Sequence, residues 1–233
     1  MAQQVALVIG ASSSIGDEIV SAFLSRGEKV IASYNATQPS INHPNLSYEQ
    51  LDVTSQHSRE TFIAKSQAGG LKFNTVIMLP SIIFGLALHD YSDQNIDMIL
   101  DVNFTAQAKF MRDLLPLMHQ ASRLILMGSI ASERGSFDPL YAASKGALIP
   151  FAKSLARAYG EKFSTLALLP GPIKDSTMYD EMNAETQARH KAQNPRSHLL
   201  APADLAQIIL DISSAHWQHA NGAIIRLNGG AYV

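Results

Sequence analysis

The chain has 233 residues, of which 46% are hydrophobic and 16% charged, a balance that suits one globular domain over residues 1–233. The formal net charge of −2 gives no indication of a nucleic-acid partner. Because there are 0 cysteines, disulfides, thiolate metal sites and cysteine nucleophiles are excluded.

The N-terminus and the longest apolar stretch indicate in which cellular compartment the protein is expected. The N-terminal segment carries no basic side chain and leads directly into an apolar strand pattern, so no signal peptide is predicted. The longest apolar stretch, residues 76–88, is interrupted by Pro80, Ser81 and Gly85 and is shorter than the roughly 20 residues that span a bilayer. We therefore expect a cytoplasmic protein with no membrane partner.

The first predicted strand, Val5–Ile9, runs into a turn of small residues that precedes an apolar-periodic helix. This arrangement forms a phosphate site, because the free N–H groups and the dipole of a helix N-terminus favour an anion. The alternative is an ordinary strand–helix turn. The residues predicted to contact a cofactor here are Gly10, Ser12, Ser13, Ser14, Ile15 and Gly16.

Tyr141 and Lys145 stand four residues apart in a predicted helix and therefore on one face of it. A cation beside a phenol favours the phenolate, so we expect a lowered pKa for Tyr141 and a role in proton transfer. The alternative is structural, because a Tyr–Lys pair on a helix is more often a half-buried ring beside a solvated charge.

With these two features the sequence resembles the short-chain dehydrogenase/reductase family, and in particular 3-oxoacyl-acyl-carrier-protein-reductase-type enzymes. The resemblance extends from Val5 to Gly230, with the motifs in the family's order. It implies an α/β fold, namely a Rossmann-type three-layer sandwich with a seven-stranded parallel sheet of order 3-2-1-4-5-6-7 and helices on both faces. It also implies an NAD(P)-dependent oxidoreductase that transfers a hydride between nicotinamide and a small-molecule carbonyl or secondary alcohol.

The resemblance further implies a role for each of four catalytic residues. Ser129, after a predicted strand at residues 123–127, would hold the substrate oxygen, with Ser132 as the alternative serine. Tyr141 would pass the proton. Lys145 would favour the phenolate and hold the nicotinamide ribose. Asn103 would disturb its helix locally and anchor a water for proton relay.

Further cofactor contacts follow from the same resemblance. Residues after the second and third strands would meet the adenosine end, and residues after the fourth and sixth strands would meet the nicotinamide end. Since no acidic residue follows the second strand to repel a 2′-phosphate, NADP(H) is slightly favoured over NAD(H). The implied residues are Ser33, Tyr34, Asn35, Asp52, Val53, Pro80, Ser81, Tyr141, Lys145, Pro170, Gly171, Ile173 and Thr177.

The sequence departs from the family's motifs in three places. Ser14 replaces the middle glycine of the turn, and residues 78–81 (Met-Leu-Pro-Ser) replace Asn-Asn-Ala-Gly. Asp175 replaces a threonine, for which Ser176 or Thr177 would substitute. These departures motivate a second hypothesis, a catalytically weak or non-catalytic dinucleotide-binding or interaction protein.

Two long helices are predicted beside the site. One covers about residues 93–119, and the other covers about residues 141–159, where Pro150 predicts a kink or an early-turn position. In the family these helices pair across subunits, which implies a homotetramer or, failing that, a homodimer. Residues 175–200 are predicted to form a substrate lid of short helices, and no metal site is predicted.

Overall fold

The computed structural model describes residues 4–37 and 39–232, in which seven strands form one sheet. The strand order is 3-2-1-4-5-6-7 and every neighbouring pair is parallel, which confirms the predicted α/β fold. Residues 1–3 and 233, on which the domain limits and part of the signal-peptide prediction rest, lie outside the described residues. The strands are β1 (Val5–Ile9), β2 (Lys29–Tyr34), β3 (Leu46–Gln50), β4 (Phe73–Met78), β5 (Met118–Met127), β6 (Phe163–Pro170) and β7 (Ile224–Leu227).

Helices cover both faces of the sheet. The α-helices of the described residues are α1 (Ser14–Ser25), α2 (Gln56–Ala68), α3 (Asp93–Leu100), α4 (Ala106–Leu114), α5 (Ala131–Arg134), α6 (Pro139–Gly146), α7 (Leu148–Tyr159), α8 (Thr177–Asp180), α9 (Ala184–Gln193) and α10 (Pro202–Ile212). Helices α2, α4 and α7 contribute to the core on one face, and α1 and α10 to the core on the other. Because successive strand residues point to opposite faces, Leu7 lies in the first core and Val8 in the second.

The helix predicted for residues 93–119 is interrupted and shorter. It consists of α3, a π-helical turn at Asp101–Thr105 and α4, followed by a 3-10 turn at Leu115–Leu117. The chain then enters β5 at Met118, well before the strand start predicted at residue 123. The extra residues are accommodated by a register shift against β4 and by Ala121 at φ 60°. The predicted helix end at His119 is therefore wrong.

The helix predicted for residues 141–159 is divided at Ala147. Pro150 lies in the first turn of α7, where its missing N–H would have no intrahelical partner in any case. This confirms the early-turn position rather than a kink. The region predicted as a lid contains the short helices α8 and α9, as expected.

Candidate active site

The turn after β1 is shaped to receive an anion at the N-terminus of α1. Gly10 has a φ of 80°, which glycine adopts without strain. A Cβ at Gly16 would lie 2.5 Å from the carbonyl oxygen of Ala11, so the helix packs against the turn at a distance that only glycine allows. The Ser13 hydroxyl caps α1 by accepting a hydrogen bond from the N–H of Gly16 at 3.2 Å. The N–H groups of the first two residues of α1 have no intrahelical partner and are available to a phosphate.

Ser14, at the position of the family's middle glycine, links this turn to the loop before α8. Its hydroxyl donates to the carbonyl oxygen of Asp175 at 2.9 Å. Asp175 has a φ of 60°, in the left-handed region. The neighbouring Ser12 is exposed, and its hydroxyl has no hydrogen-bond partner among residues 4–37 and 39–232. The substitution at position 14 therefore adds a contact between the predicted phosphate turn and the predicted lid.

The residues after β2 lie apart from the predicted reacting centre. Ser33 is buried, and its hydroxyl accepts a hydrogen bond from the N–H of Gly10 at 3.1 Å, so this side chain supports the turn. Tyr34 packs edge-on against Tyr48, with ring centroids 6.5 Å apart. Asn35 is exposed. Of these predicted contacts, Tyr34 and Asn35 have the more accessible side chains.

The residues after β3 form a turn before α2. Oδ1 of Asp52 accepts hydrogen bonds from the N–H of Thr54 at 2.9 Å and from its hydroxyl at 2.7 Å. Val53 is buried, and its carbonyl oxygen accepts a hydrogen bond from Arg59 at 2.7 Å. The side chain of Asp52 thus holds the turn, while the contact of both residues with adenine stays a prediction.

The segment after β4 is anchored to the π-helical turn and the start of α4. Nε2 of Gln107 donates to the carbonyl oxygen of Pro80 at 2.8 Å. Asn103 holds Ile82 by accepting from its N–H at 2.8 Å and donating to its carbonyl oxygen at 2.9 Å. Ser81 therefore lies between two residues whose backbones are fixed by buried amide side chains.

Asn103 occupies the middle of the π-helical turn, which confirms the predicted local disturbance of the helix. Its Nδ2 also donates to the hydroxyl of Ser144 at 2.9 Å, and that hydroxyl donates to the carbonyl oxygen of Tyr141 at 2.9 Å. The side chain is fully buried and thus connects the β4 segment to α6. Its predicted role in holding a water stays a prediction.

Asp138 is a buried carboxylate at the start of the helix that carries Tyr141. Its Oδ1 caps α6 by accepting from the N–H of Tyr141 at 2.9 Å, and also accepts from the hydroxyl of Tyr91 at 2.7 Å. Its Oδ2 accepts from the N–H groups of Phe84 at 3.3 Å and Gly85 at 2.9 Å. Burial and this hydrogen bond to Asp138 raise the pKa of Tyr91. One carboxylate thus joins the active-site helix to the segment after β4.

The phenol of Tyr141 lies beside two serine hydroxyls. Burial raises the pKa of Tyr141, the hydroxyls of Ser129 and Ser81 oppose that shift, and the Asp138 carboxylate adds to it. The hydroxyl oxygen of Ser129 also accepts a hydrogen bond from the N–H of Ala131 at 3.2 Å. The expectation of a lowered pKa for Tyr141 is therefore wrong, because removal from water outweighs the neighbouring donors.

The side chain of Lys145 is fixed by a hydrogen bond to the main chain of β5, and its predicted effect on the phenolate stays a prediction. Its side chain is buried, and Nζ donates to the carbonyl oxygen of Met127 at 2.9 Å, across the interface between α6 and β5. Burial lowers the pKa of Lys145 to about 7. An ammonium has three donors, so Lys145 retains hydrogen-bonding capacity for a ligand.

A cavity of about 440 Å³ opens at the carboxyl ends of β4, β5 and β6. It brings together most of the predicted nicotinamide-end residues but not the adenosine-end residues. The predicted residues that line it are Ser13, Ser14, Ile15, Ser81, Ser129, Tyr141, Lys145, Pro170, Gly171, Ile173 and Thr177. Those that do not are Gly10, Ser12, Gly16, Ser33, Tyr34, Asn35, Asp52, Val53, Pro80 and Asn103.

The loop after β6 forms another wall of this cavity. The carbonyl oxygen of Pro170 accepts a hydrogen bond from the N–H of Ile130 at 2.9 Å. The hydroxyl of Ser176 donates to the carbonyl oxygen of Ile173 at 2.7 Å and so is not free. Thr177 lines the cavity, which leaves it the better substitute for the family's threonine.

Sequence reasoning missed several features of the site. Asp138 has a local signal, because an Asp before a Pro is typical of an N-cap followed by the first helical residue. Gln107 has none, since its partner Pro80 lies far away in the sequence. The lid residues Met178 and Met182 were also not predicted as site residues; together with Ile82 they form apolar walls of the cavity.

The described part of the chain lacks two kinds of feature. No group of three or more His, Cys, Asp or Glu residues within it is placed to hold a metal ion. No helix within it has the length and apolar character needed to cross a membrane.

The chain is similar in sequence to known proteins over nearly its whole length. A sequence model of the family described as enoyl-(acyl carrier protein) reductase matches residues 10–232. The chain is 27% identical to the 3-oxoacyl-[acyl-carrier-protein] reductase FabG of Vibrio cholerae, over 99% of this chain and 98% of that protein. It is 22% identical to an acetoacetyl-CoA reductase of Acinetobacter, again over 99% of this chain and 98% of that protein.

Solved structures agree with the fold. A short-chain dehydrogenase/reductase of Brucella melitensis, named as a glucose/ribitol dehydrogenase, matches with a TM-score of 0.93 at 21% identity, over 99% of this chain and 97% of that chain. A short-chain dehydrogenase family protein of Francisella tularensis matches with a TM-score of 0.90 at 21% identity, over 99% of both chains.

Proposed function

Since the chain belongs to the short-chain dehydrogenase/reductase family and is an NAD(P)-dependent oxidoreductase, we propose that Tyr141 is its general acid and base. The observation that supports this role most directly is the position of the phenol, which lines the cavity together with Ser129 and Lys145. The substrate is a small carbonyl compound in reduction and a secondary alcohol in oxidation.

Each side chain has a distinct task in this proposal. The nicotinamide, when bound, supplies or accepts the hydride. The hydroxyl oxygen of Ser129 already accepts the N–H of Ala131, so its own proton is available to hold the substrate oxygen. Tyr141 gives its proton to that oxygen in reduction and takes it back in oxidation. Because burial raises its pKa, the phenol keeps its proton at neutral pH and suits the acid role.

Lys145 and Asn103 have supporting roles in this proposal, one toward the cofactor and one toward a relay water. We assign the free donors of the Lys145 ammonium to the ribose hydroxyls of the cofactor, since only the bond to Met127 occupies them. Asn103 fixes the segment after β4 and holds α6 through Ser144, and we assign to it the anchoring of a relay water.

The residues around β1 fit a dinucleotide. Gly10 and Gly16 keep the turn compact, and the unpartnered N–H groups of α1 suit a pyrophosphate. We propose a preference for NADP(H), because the three residues after β2, Ser33 to Asn35, include no acid to repel a 2′-phosphate. Fluorescence titration of NADPH and NADH tests this, with tighter binding of NADPH expected. Tighter binding of NADH would overturn the preference.

The proposed reductase activity is tested by measuring the consumption of NAD(P)H with a panel of carbonyl substrates. Two of the similar reductases carry names that specify 3-oxoacyl-[acyl-carrier-protein] and acetoacetyl-CoA, so these compounds lead the panel. We expect consumption of NAD(P)H with at least one carbonyl compound. Tight dinucleotide binding without turnover across a broad panel would instead favour the second hypothesis, a non-catalytic dinucleotide-binding or interaction protein.

We also propose a cytoplasmic, single-domain protein over residues 1–233 that forms a homotetramer, or otherwise a homodimer. Met98 and Leu100 support the assembly, because they expose 44% and 37% of their surface on α3, in the long helical region predicted to pair between subunits. Light scattering tests the assembly. A particle with the chain mass of 25.3 kDa would contradict it.

A further inference from the structure

One buried hydroxyl at the reacting centre has no role among those assigned above to the catalytic residues. Oγ of Ser81 is buried and has no hydrogen-bond partner of ordinary geometry among residues 4–37 and 39–232. Ser81 lines the same cavity as Ser129 and Tyr141. Buried hydroxyls are nearly always satisfied, so a ligand oxygen or the adjacent phenol is the expected partner.

The hydrogen-bonding capacity of the three hydroxyls supports a shared task. The hydroxyl oxygen of Ser129 accepts a hydrogen bond from the N–H of Ala131, so the hydroxyl proton remains available for donation. The hydroxyl of Ser81 makes no hydrogen bond of ordinary geometry among the described residues, so its proton is also available. Both hydroxyls act on the phenol of Tyr141 in the direction that favours the phenolate, as donors do. A phenol oxygen that accepts from two donors directs its own proton elsewhere, toward the open cavity.

The position of Ser81 is fixed from both sides. The carbonyl oxygen of Pro80 accepts from Gln107, and the N–H and carbonyl oxygen of Ile82 are both bound by Asn103. These anchors lie on the π-helical turn and α4 rather than on a loop. A donor held on such a rigid support is oriented before the substrate arrives.

We propose that Ser81 is a further catalytic residue, which together with Ser129 donates to the reacting oxygen and stabilises the charge that develops on it. In reduction, the carbonyl carbon gains the hydride, the π electrons of C=O move to oxygen, and that oxygen takes the proton of Tyr141. Once the alcohol oxygen carries that proton, the Ser81 and Ser129 hydroxyls give up their hydrogen bonds to it and donate instead to the resulting phenolate. This inference rests on the proposed role of Tyr141.

The test compares Ser81→Ala with Ser122→Ala. Ser122, in β5, is a matched control, because its hydroxyl is also buried and unpartnered among the described residues but does not line the cavity. Removal of one donor to a developing oxyanion typically lowers kcat by about 10²-fold or more. We expect a loss of at least roughly 10-fold for Ser81→Ala, because Ser129 remains to donate. KM changes little, and Ser122→Ala retains the wild-type kcat.

A second readout does not require turnover. Tyrosine labelled with ¹³C at Cζ reports the titration of Tyr141 by NMR in the protein without cofactor, with Tyr141→Phe identifying the signal. Ser81→Ala is expected to raise the apparent pKa of Tyr141, whereas Ser122→Ala leaves it unchanged.

The outcomes separate the two claims. If Tyr141→Phe keeps wild-type turnover, the proposed function fails, and a catalytic role of Ser81 beside that phenol fails with it. If Tyr141→Phe is inactive but Ser81→Ala matches wild type in both kcat and titration, only the inference about Ser81 is overturned. The folding of the Ser81→Ala protein is verified in each case by its unfolding temperature.

Discussion

The carboxylate of Asp138 accepts a hydrogen bond from the backbone N–H of Tyr141 at 2.9 Å, at the first turn of the helix that presents the phenol to the cavity. The same carboxylate holds the N–H groups of Phe84 and Gly85 and the hydroxyl of Tyr91. Its position therefore determines how α6 sits against the segment after β4.

Replacement of Asp138 by Asn is predicted to destabilise the protein and to lower the apparent pKa of Tyr141. Both oxygens of Asp138 accept hydrogen bonds, so the NH₂ group of the introduced asparagine would face N–H or O–H donors. Buried donors are then left unpaired, and the free energy of unfolding falls by about 2 kcal/mol. The lost charge no longer raises the pKa of Tyr141. Thermal unfolding and the pH profile of kcat measure the two effects. Asp97→Asn, at an exposed position of α3, is the control; equal behaviour of the two variants would refute the prediction.

Replacement of Lys145 by Met is predicted to stabilise the protein most near and below pH 7. Burial lowers the pKa of Lys145 in the folded protein to about 7 from the ordinary 10.5. Between these two pH values, Lys145 is therefore protonated in the unfolded chain but neutral in the folded protein. The cost of burying the ammonium is thus fully present below pH 7 and disappears as the pH rises toward 10.5. We expect a gain of about 2 kcal/mol in unfolding free energy at pH 6, with loss of activity.

The pH dependence of this gain is what distinguishes a buried ammonium from a packing effect. Denaturant unfolding at pH 6 and pH 9 measures it, with Lys153→Met as the control because Lys153 is exposed on α7. A gain that is equal at both pH values would contradict the account of Lys145.

Removal of the Ser14 hydroxyl is predicted to loosen the loop before α8. Ser14→Ala deletes the hydrogen bond to the carbonyl oxygen of Asp175, a contact of about 1 kcal/mol, which corresponds to roughly fivefold more frequent opening. Hydrogen exchange of residues 174–180 measures the opening, and Ser12→Ala serves as the control. Unchanged exchange in Ser14→Ala would show that the contact does not restrain the lid.

The two reaction directions are predicted to differ in their pH dependence. Because burial raises the pKa of Tyr141, the phenol remains protonated at neutral pH, so the proton-transfer step of reduction is independent of pH until alkaline conditions. Oxidation needs the phenolate, whose fraction rises tenfold per pH unit below the pKa. Profiles of kcat/KM in both directions measure this difference. An oxidation profile already flat at pH 7 would indicate an acidic phenol instead.

The strand order and the grouping of Ser129, Tyr141 and Lys145 around one cavity were predicted through the resemblance to the family. Parallel strands with crossover helices allow few arrangements, and the carboxyl ends of such strands meet at one edge. The spacing of Tyr141 and Lys145 correctly places both on one helix face.

The direction of the pKa shift at Tyr141 was not predictable, because it depends on burial that only tertiary packing creates. Lys145 donates to the carbonyl oxygen of Met127, a contact set by how α6 packs on β5. The partners of Asp138 and Ser14 likewise lie far away in the sequence and leave no local pattern. The end of the helix before β5 was missed because its apolar residues fit a helix and a strand equally well.

The role of Tyr141 is tested most directly by the kcat of Tyr141→Phe with a carbonyl substrate, measured beside its affinity for NADPH. Phenylalanine fills the same volume and removes only the hydroxyl. We predict that kcat falls by roughly 10³-fold while the dissociation constant for NADPH stays within about twofold of wild type. A variant that turns over substrate at close to the wild-type rate would contradict the assignment of the proton to this phenol.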